Sequence, residues 1–285
     1  MTFTTRFAPS PTGPLHLGHA YSALVAHQMA AEAGGRFLLR IEDTDQSRAR
    51  AQWEKLIFDD LAWLGLRWET PVRRQSEHLA SYSNALAIIE KKQLIYPCNC
   101  RRADIEAAAG APQEGVAQFG PDGRIYSGSC RHRTMRDAGA EDALRLNMQL
   151  ATETLNAPLL YHETGLNSGA KKITAEALLS QVGDVVLQRR NGQTAYHLAV
   201  VVDDAIQGVS DVVRGADLAE ATQIHVLLQS LLGLPTPRYH HHKLIRDSAG
   251  KRLAKRDDAT AISTLRSQGQ SANDIRRSLG FKPLE

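Results

Sequence analysis

Three groups of side chains in this 285-residue chain are of types and spacings that could do chemistry. The first lies in the run Arg6-Phe7-Ala8-Pro9-Ser10-Pro11-Thr12-Gly13-Pro14-Leu15-His16-Leu17-Gly18-His19. His16 and His19 are three residues apart, so on a helix their imidazoles share one face. A helix start presents unpaired N–H groups and the positive end of its dipole, which favour an anion. Two imidazole donors there read as a phosphate seat, and Gly18 between them lets a ligand approach closely. The second group is Cys98, Cys100 and Cys130, with Tyr126 and His132 near the last thiol. Zinc takes four ligands in a tetrahedron. Imidazole is a common fourth ligand and phenolate a rare one, so chemistry alone prefers His132 to Tyr126. The third group is Lys251-Arg252-Leu253-Ala254-Lys255-Arg256, a basic loop with Gly250 at its base, suited to closing over a triphosphate.

Elements must position these groups. Thr2 to Ala8 predicts a strand, and Pro9, Pro11, Gly13 and Pro14 forbid its continuation. From Leu15 the apolar positions take helical spacing (Leu17, Tyr21, Leu24, Val25, Met29), up to the C-cap pair Gly34-Gly35. Arg36 to Ile41 predicts a second strand. Strand, helix and strand form a βαβ unit, which implies a parallel sheet and a right-handed crossover. Ligands then bind beyond the carboxyl ends of the strands. Ser10 ends the first strand and Glu42-Asp43-Thr44-Asp45 ends the second. Neither a G-x-G-x-x-G nor a P-loop lysine motif occurs, so the phosphate seat has to be the histidine turn.

Farther on, a helix is expected over about 47–64, with Asp45 or Ser47 as its cap and Gly65 as its stop. Trp53, Leu56, Ile57, Leu61 and Leu64 form its apolar side. Another helix is expected over about 77–92, carrying Leu79, Tyr82, Leu86 and Ile89. The glycine- and proline-rich stretch between Cys100 and Tyr126 predicts a floppy loop. Residues 143–147 are strand-like, and 150–180 are weakly patterned. Asn191-Gly192 predicts a hairpin turn between strands 184–188 and 194–202, with Tyr196 to Asp204 in the buried sheet. Three consecutive histidines, His240 to His242, cannot easily aim all their rings at one ion from a strand. A last helix falls near 271–279.

Net charge is +3, a mildly basic balance that permits an RNA partner. Arg131 to Arg136 is dense in positive charge, which suits either an RNA backbone or a solvated turn. Three clustered cysteines, an odd number, argue for metal rather than disulfides. No apolar run is long enough to span a membrane, and no signal peptide is visible, so a cytoplasmic protein is expected.

The proline-rich loop with His16-Leu17-Gly18-His19 resembles the signature of class I aminoacyl-tRNA synthetases. The longer run from Arg6 to Gly13 is similar to the glutamyl branch, and Arg40-Ile41-Glu42-Asp43-Thr44-Asp45 resembles the glutamyl and glutaminyl enzymes. Lys251 to Arg256 resembles the Lys-Leu-Ser-Lys-Arg lysine loop, with Arg252 for its first lysine and Ala254 for its serine. The Cys-x-Cys…Tyr-x-x-x-Cys zinc pattern of glutamyl-queuosine tRNA synthetases matches Cys98, Cys100, Tyr126 and Cys130. On that resemblance Tyr126 is the fourth ligand; His132 stays open as the alternative.

The resemblance covers nearly the whole chain. It implies an α/β fold: a Rossmann-like catalytic domain with a parallel sheet, an inserted zinc-containing subdomain and a small helical C-terminal part. The expected divisions are 1–95 and 191–235 for the two catalytic halves, 96–190 for the acceptor-binding-like insertion, and 236–285 for the lysine loop and stem-contact region, without an anticodon-binding domain. It implies that Arg6, Phe7, Ala8, Pro9, Ser10, Glu42, Tyr196 and Arg214 hold L-glutamate. Glu42 would take the ammonium and Arg214 the side-chain carboxylate, which suits a bidentate fork. A salt bridge from Arg214 to Asp217 or Glu220 is the alternative. Val200 stands where full glutamyl-tRNA synthetases often carry a polar residue, so the pocket need not be identical. His16, Gly18, His19 and Lys255 would hold ATP, and His16, His19 and Lys255 would serve catalysis, with Mg²⁺ on the ATP and one structural Zn²⁺. The expected activity is ATP-dependent formation of glutamyl-adenylate and transfer of glutamate to the queuosine base of tRNA(Asp), by a monomer. The alternatives are a minimal glutamyl-tRNA synthetase acting on a tRNA 3′ end, and a non-catalytic RNA- or amino-acid-binding regulator.

Overall fold

The computed structural model describes residues 2–108, 118–245 and 260–284. In chain order the elements are β1 (Thr4–Phe7), α1 (Leu17–Glu32), β2 (Arg36–Ile41), α2 (Ala51–Trp63), β3 (Glu69–Arg74), α3 (Leu79–Lys91), β4 (Ile95–Cys98) and α4 (Arg102–Ala108). A two-residue hairpin pair follows, β5 (Phe119–Gly120) and β6 (Gly123–Arg124), then β7 (Ala143–Leu146), α5 (Met148–Glu153), β8 (Leu159–Glu163) and β9 (Gly169–Ile173). A short α6 (Ala175–Ala177) runs on into a π-turn, followed by β10 (Val186–Gln188), α7 (Tyr196–Ile206), β11 (Asp211–Gly215), α8 (Thr222–Leu232), β12 (Arg238–His242), α9 (Ile262–Ser267) and α10 (Ala272–Ser278).

The βαβ unit expected at the amino end is present. β1 pairs parallel with β2, and β2 parallel with β3. β11, β12 and β8 form a second parallel set, closed on its outer side by antiparallel β9. Ser210, just before β11, joins the two sets: its N–H donates to the Thr4 carbonyl at 2.9 Å, and its hydroxyl accepts from the Thr4 N–H at 2.8 Å. The carboxyl ends of β1, β2, β11 and β12 therefore open in one region, where an open α/β sheet binds its ligands. One apolar core packs α1 and α2 with β1 and β2 and reaches Ile262 and Ile275 of α9 and α10. A second packs α3, α7 and α8 with β4, β7 and β12.

Several expectations are corrected. Residues 196–206 are helix, not strand: the run Leu198-Ala-Val-Val-Val202 is buried on every side, and a helix sunk in the core shows the same unbroken apolarity as a central strand. The turn at Asn191-Gly192 does form, with Arg189 N–H donating to the Gln193 carbonyl at 2.7 Å, but the pairing beyond it is short: Thr194 bridges Gln188 and the Ala195 N–H donates to the Leu187 carbonyl at 2.9 Å before the helix begins. α2 starts at Ala51 with Arg50 at its cap position; Ser47 instead donates to Asp45 at 2.6 Å. Leu79 is exposed rather than packed. The weakly patterned 150–180 stretch holds β8 and β9, whose alternating burial faces water on one side. Part of the loop expected between Cys100 and Tyr126 is ordered as α4 and the β5–β6 hairpin. Val200 belongs to the core. No helix of the described residues is long and apolar enough to cross a membrane.

Candidate active site

The histidine turn is built by its own backbone needs. His16 is the N-cap of α1, with extended φ and ψ of −117° and 174°. Its Nδ1 accepts from the Gly18 N–H at 3.1 Å, and the Nδ1 of His19 accepts from the His16 N–H at 3.2 Å. The two rings thus do the work that Ser and Glu do in a capping box, and they stack with centroids 3.7 Å apart. Because both Nδ1 atoms accept, each neutral ring carries its proton on Nε2. Each imidazole therefore has a donor edge, on a helix start that already favours anions.

His16, Gly18 and His19 line one cleft with Arg6, Phe7, Ala8, Glu42, Tyr196 and Arg214. The adjoining part of the cleft is lined by Pro9 and Ser10 and shares Phe7, Ala8, His19, Glu42 and Tyr196. All the residues expected around glutamate, and three of the four expected around ATP, are thereby brought together. Lys255 lies outside the described residues. The cleft also contains Lys243, Leu244 and Ile245, on the approach to the lysine loop.

Beneath the cleft sits a buried ionic frame that the sequence did not announce. Asp203 and Asp204 end the buried face of α7. Arg6 reaches Asp204 at 2.8 Å and 3.3 Å, and Arg40 reaches it at 2.7 Å. Arg73, Gln75 and Tyr82 converge on Asp203 at 2.7–2.9 Å. Burial raises the Asp204 carboxyl, but Arg6 and Arg40 outweigh it and hold the group below its ordinary value. Among the described residues the Glu42 carboxylate has a single hydrogen bond of this kind, from Arg40 at 3.3 Å, and burial pushes its pKa up against the pull of Arg40 and Arg6. A carboxylate held this way gains from a cation, which is what an amino acid's ammonium supplies.

Arg214, 5% exposed, has no such frame. Its Nε donates to His241 Nε2 at 3.1 Å, its Nη1 to His225 Nδ1 at 2.9 Å and its Nη2 to the Thr222 hydroxyl at 2.8 Å. It makes no salt bridge with a carboxylate among the described residues, so the alternative of a bridge to Asp217 or Glu220 is not what holds it. Of the three histidines in β12, only His241 meets Arg214. His225, Thr222, Glu163 and Asp204 escaped sequence reasoning because they lie in apolar or weakly patterned stretches, and Arg40, although part of the acidic motif, is given no role there.

The Cys98, Cys100 and Cys130 thiols lie within 4.8 Å of one another. The Tyr126 hydroxyl is 3.4 Å from Cys98 Sγ and 3.2 Å from Cys100 Sγ. His132 does not join this group among the described residues. Burial pushes the Cys100 thiol up to about 11 and raises Tyr126 further. The neighbouring arginines have structural partners: Arg131 forks onto the buried Asp184 at 2.7 Å and 2.8 Å, and Arg133 reaches Asp142 at 2.8 Å. These two are held by carboxylate partners rather than left in a solvated turn.

The family model "tRNA synthetases class I (E and Q), catalytic domain" matches residues 2–281. The chain is 58% identical over 282 residues to the glutamyl-Q tRNA(Asp) synthetase of Rhodobacter capsulatus, covering 97% of this chain and 99% of that one. It is 40% identical over 282 residues to the protein of that name from Deinococcus radiodurans, covering 96% and 87%. Among solved structures, a glutamate-tRNA synthetase from Elizabethkingia anophelis superposes with a TM-score of 0.73 at 24% identity; the match covers 96% of this chain and spans 60% of that one. The chain belongs to the class I tRNA synthetases of the glutamyl and glutaminyl branch, and is a ligase.

Proposed function

We propose that the chain activates L-glutamate with ATP and transfers it to the queuosine base of tRNA(Asp). The observation that carries the first half is the cleft itself. It joins the donor edges of His16 and His19, suited to phosphate, to a buried guanidinium at Arg214 that meets no carboxylate among the described residues and to a buried carboxylate at Glu42 that favours a cation. Glutamate, with one ammonium and two carboxylates, fits those charges. Its α-carboxylate oxygen attacks the α-phosphorus of ATP; that P–O bond forms, the α–β bond breaks, and pyrophosphate leaves. An acceptor hydroxyl then attacks the carbonyl carbon, and AMP leaves. Fixed donors that hold the reacting groups in line do most of this work. His16 and His19 steady phosphate oxygens from Nε2, Arg6, Phe7, Ala8, Pro9, Ser10 and Tyr196 complete the walls around the amino acid, and Lys255 meets the departing pyrophosphate. Mg²⁺ bound with ATP supplies further charge neutralisation.

The relatives' names support the queuosine base as acceptor. In the insertion, three thiols and a phenol within reach of one another suit a closed, structural Zn²⁺ site; Cys98, Cys100, Tyr126 and Cys130 would hold the ion and fix the base of the insertion. Labelled glutamate offered to total tRNA tests the acceptor. Label is expected on tRNA(Asp) from cells that make queuosine and not on tRNA from cells that cannot; equal labelling of both, at the 3′ end, would instead identify a minimal glutamyl-tRNA synthetase.

A further inference from the structure

The contacts of Arg214 fix the protons of three histidines around it. A guanidinium only donates, so His225 Nδ1 and His241 Nε2 must be bare acceptors. His241 then carries its proton on Nδ1 and gives it to Glu163 Oε2 at 2.5 Å. Glu163 is itself locked, since its other oxygen accepts from the N–H groups of His241 at 3.0 Å and Gly165 at 2.8 Å. The close approach needs Gly165: a Cβ there would stand 2.4 Å from the His241 carbonyl oxygen. On the other side His225 carries its proton on Nε2 and donates to His197 Nδ1 at 3.0 Å. His197 in turn donates from Nε2 to Asp122 Oδ1 at 3.3 Å. Asp122 sits in the turn between β5 and β6, within the insertion. Two carboxylates thus end two proton-ordered arms that meet at one arginine, and neither touches it.

We propose that His225 and His241, oriented by His197 with Asp122 and by Glu163, are positioning residues that hold Arg214 through neutral acceptors alone. The guanidinium is clamped in place while its charge is left for the substrate. A side-chain carboxylate then satisfies the site and a carboxamide does not, so the arms set the preference for glutamate over glutamine. Arg6 shows the contrast: its charge is already met by Asp204 at 2.8 Å. This inference rests on Arg214 being the fork for the side-chain carboxylate.

The test compares His225→Asn with His225→Asp. The two replacements have the same shape, so any packing loss is shared, but only aspartate neutralises Arg214. Binding of L-glutamate and L-glutamine is measured by calorimetry, with ATP binding in the same samples as a check on the folded cleft. His225→Asn is expected within roughly threefold of wild type for glutamate. His225→Asp is expected to bind glutamate at least about tenfold more weakly, with the glutamate-to-glutamine ratio falling by a similar factor. Asp122→Ala, at the far end of one arm, is expected to weaken glutamate binding roughly threefold and leave ATP unchanged. Equal glutamate affinity in the Asn and Asp variants would overturn the proposal. Arg214→Gln separates the layers: if it binds glutamate like wild type, the fork reading itself fails; if it loses glutamate while the Asn and Asp variants agree, only the role of the arms fails. Should His225→Asp not fold, Thr222→Asn against Thr222→Asp makes the same comparison from the third acceptor.

Discussion

The main-chain N–H of Ile262 donates to the carbonyl of Leu15 at 2.8 Å, and Ala261 pairs with His16 in an antiparallel bridge. The chain that emerges from residues 246–259 is therefore fastened to the histidine turn. On the other side of that segment, Lys243, Leu244 and Ile245 line the cleft beside His16 and His19. The described residues on both sides of the segment that carries Lys255 thus lie at the histidine turn, although Lys255 and the two histidines are far apart in sequence.

Lys255→Ala is expected to lower the rate of glutamate activation roughly 100-fold, the usual cost of one lost charge-stabilising donor. Equilibrium binding of glutamate should change little. Stopped-flow or steady-state kinetics alongside calorimetry check both; a variant with wild-type turnover would detach the loop from catalysis.

His19→Ala removes two things, the acceptor for the His16 N–H and the Nε2 donor. The first costs about 1 kcal/mol of stability as a lost cap. The second lowers activation roughly 100-fold through the phosphate. His19→Gln is expected to recover part of the stability without the rate, seen by thermal melting against pyrophosphate release.

Glu42 gives a pH dependence with a definite sign. Burial raises its pKa in the free protein, and the ammonium of the substrate lowers it on binding. Binding therefore expels a proton, and glutamate affinity rises with pH until Glu42 is ionised in the free protein. Titrations in buffers of different ionisation enthalpy should show that release, and Glu42→Gln should abolish it. Proton uptake on binding would contradict this assignment.

Arg40 is fully buried and serves Asp204, Asp203 and Glu42 together. Arg40→Met strips Glu42 of its side-chain donor and Asp204 of one of its two arginines, and is expected to destabilise by about 3 kcal/mol in denaturant titration. A loss under about 1 kcal/mol would show that water enters the frame, as it does around exposed pairs.

The thiol cluster predicts one zinc per chain by elemental analysis. A strong chelator should remove it and lower the melting temperature by several degrees, since about 1 kcal/mol moves a chain of this size 2–4 °C. Tyr126→Phe should weaken retention of the metal and His132→Ala should not; the reverse would make His132 the fourth ligand.

Much of this was legible because local chemistry demanded it. Prolines after β1 and helical spacing after Leu15 leave little else for residues 9–19 to form, and the two histidines follow. What stayed hidden is what long-range packing decides. Val200 to Val202 are expected as strand, yet their unbroken apolarity suits a buried helix equally, and only the neighbours of α7 settle the choice. Glu163 lies in a half-exposed hairpin with no motif. His225 looks like one polar residue in an apolar helix, and its task becomes visible only when Arg214, eleven residues earlier, is placed beside it.

The most direct test of the cleft's assignment is glutamate-dependent exchange of labelled pyrophosphate into ATP, run with total tRNA present. Wild-type protein should exchange with glutamate, and weakly if at all with glutamine, while Arg214→Gln and His16→Ala should lose the activity. No exchange by well-folded wild type, or exchange indifferent to which amino acid is offered, would contradict the formation of glutamyl-adenylate in this cleft.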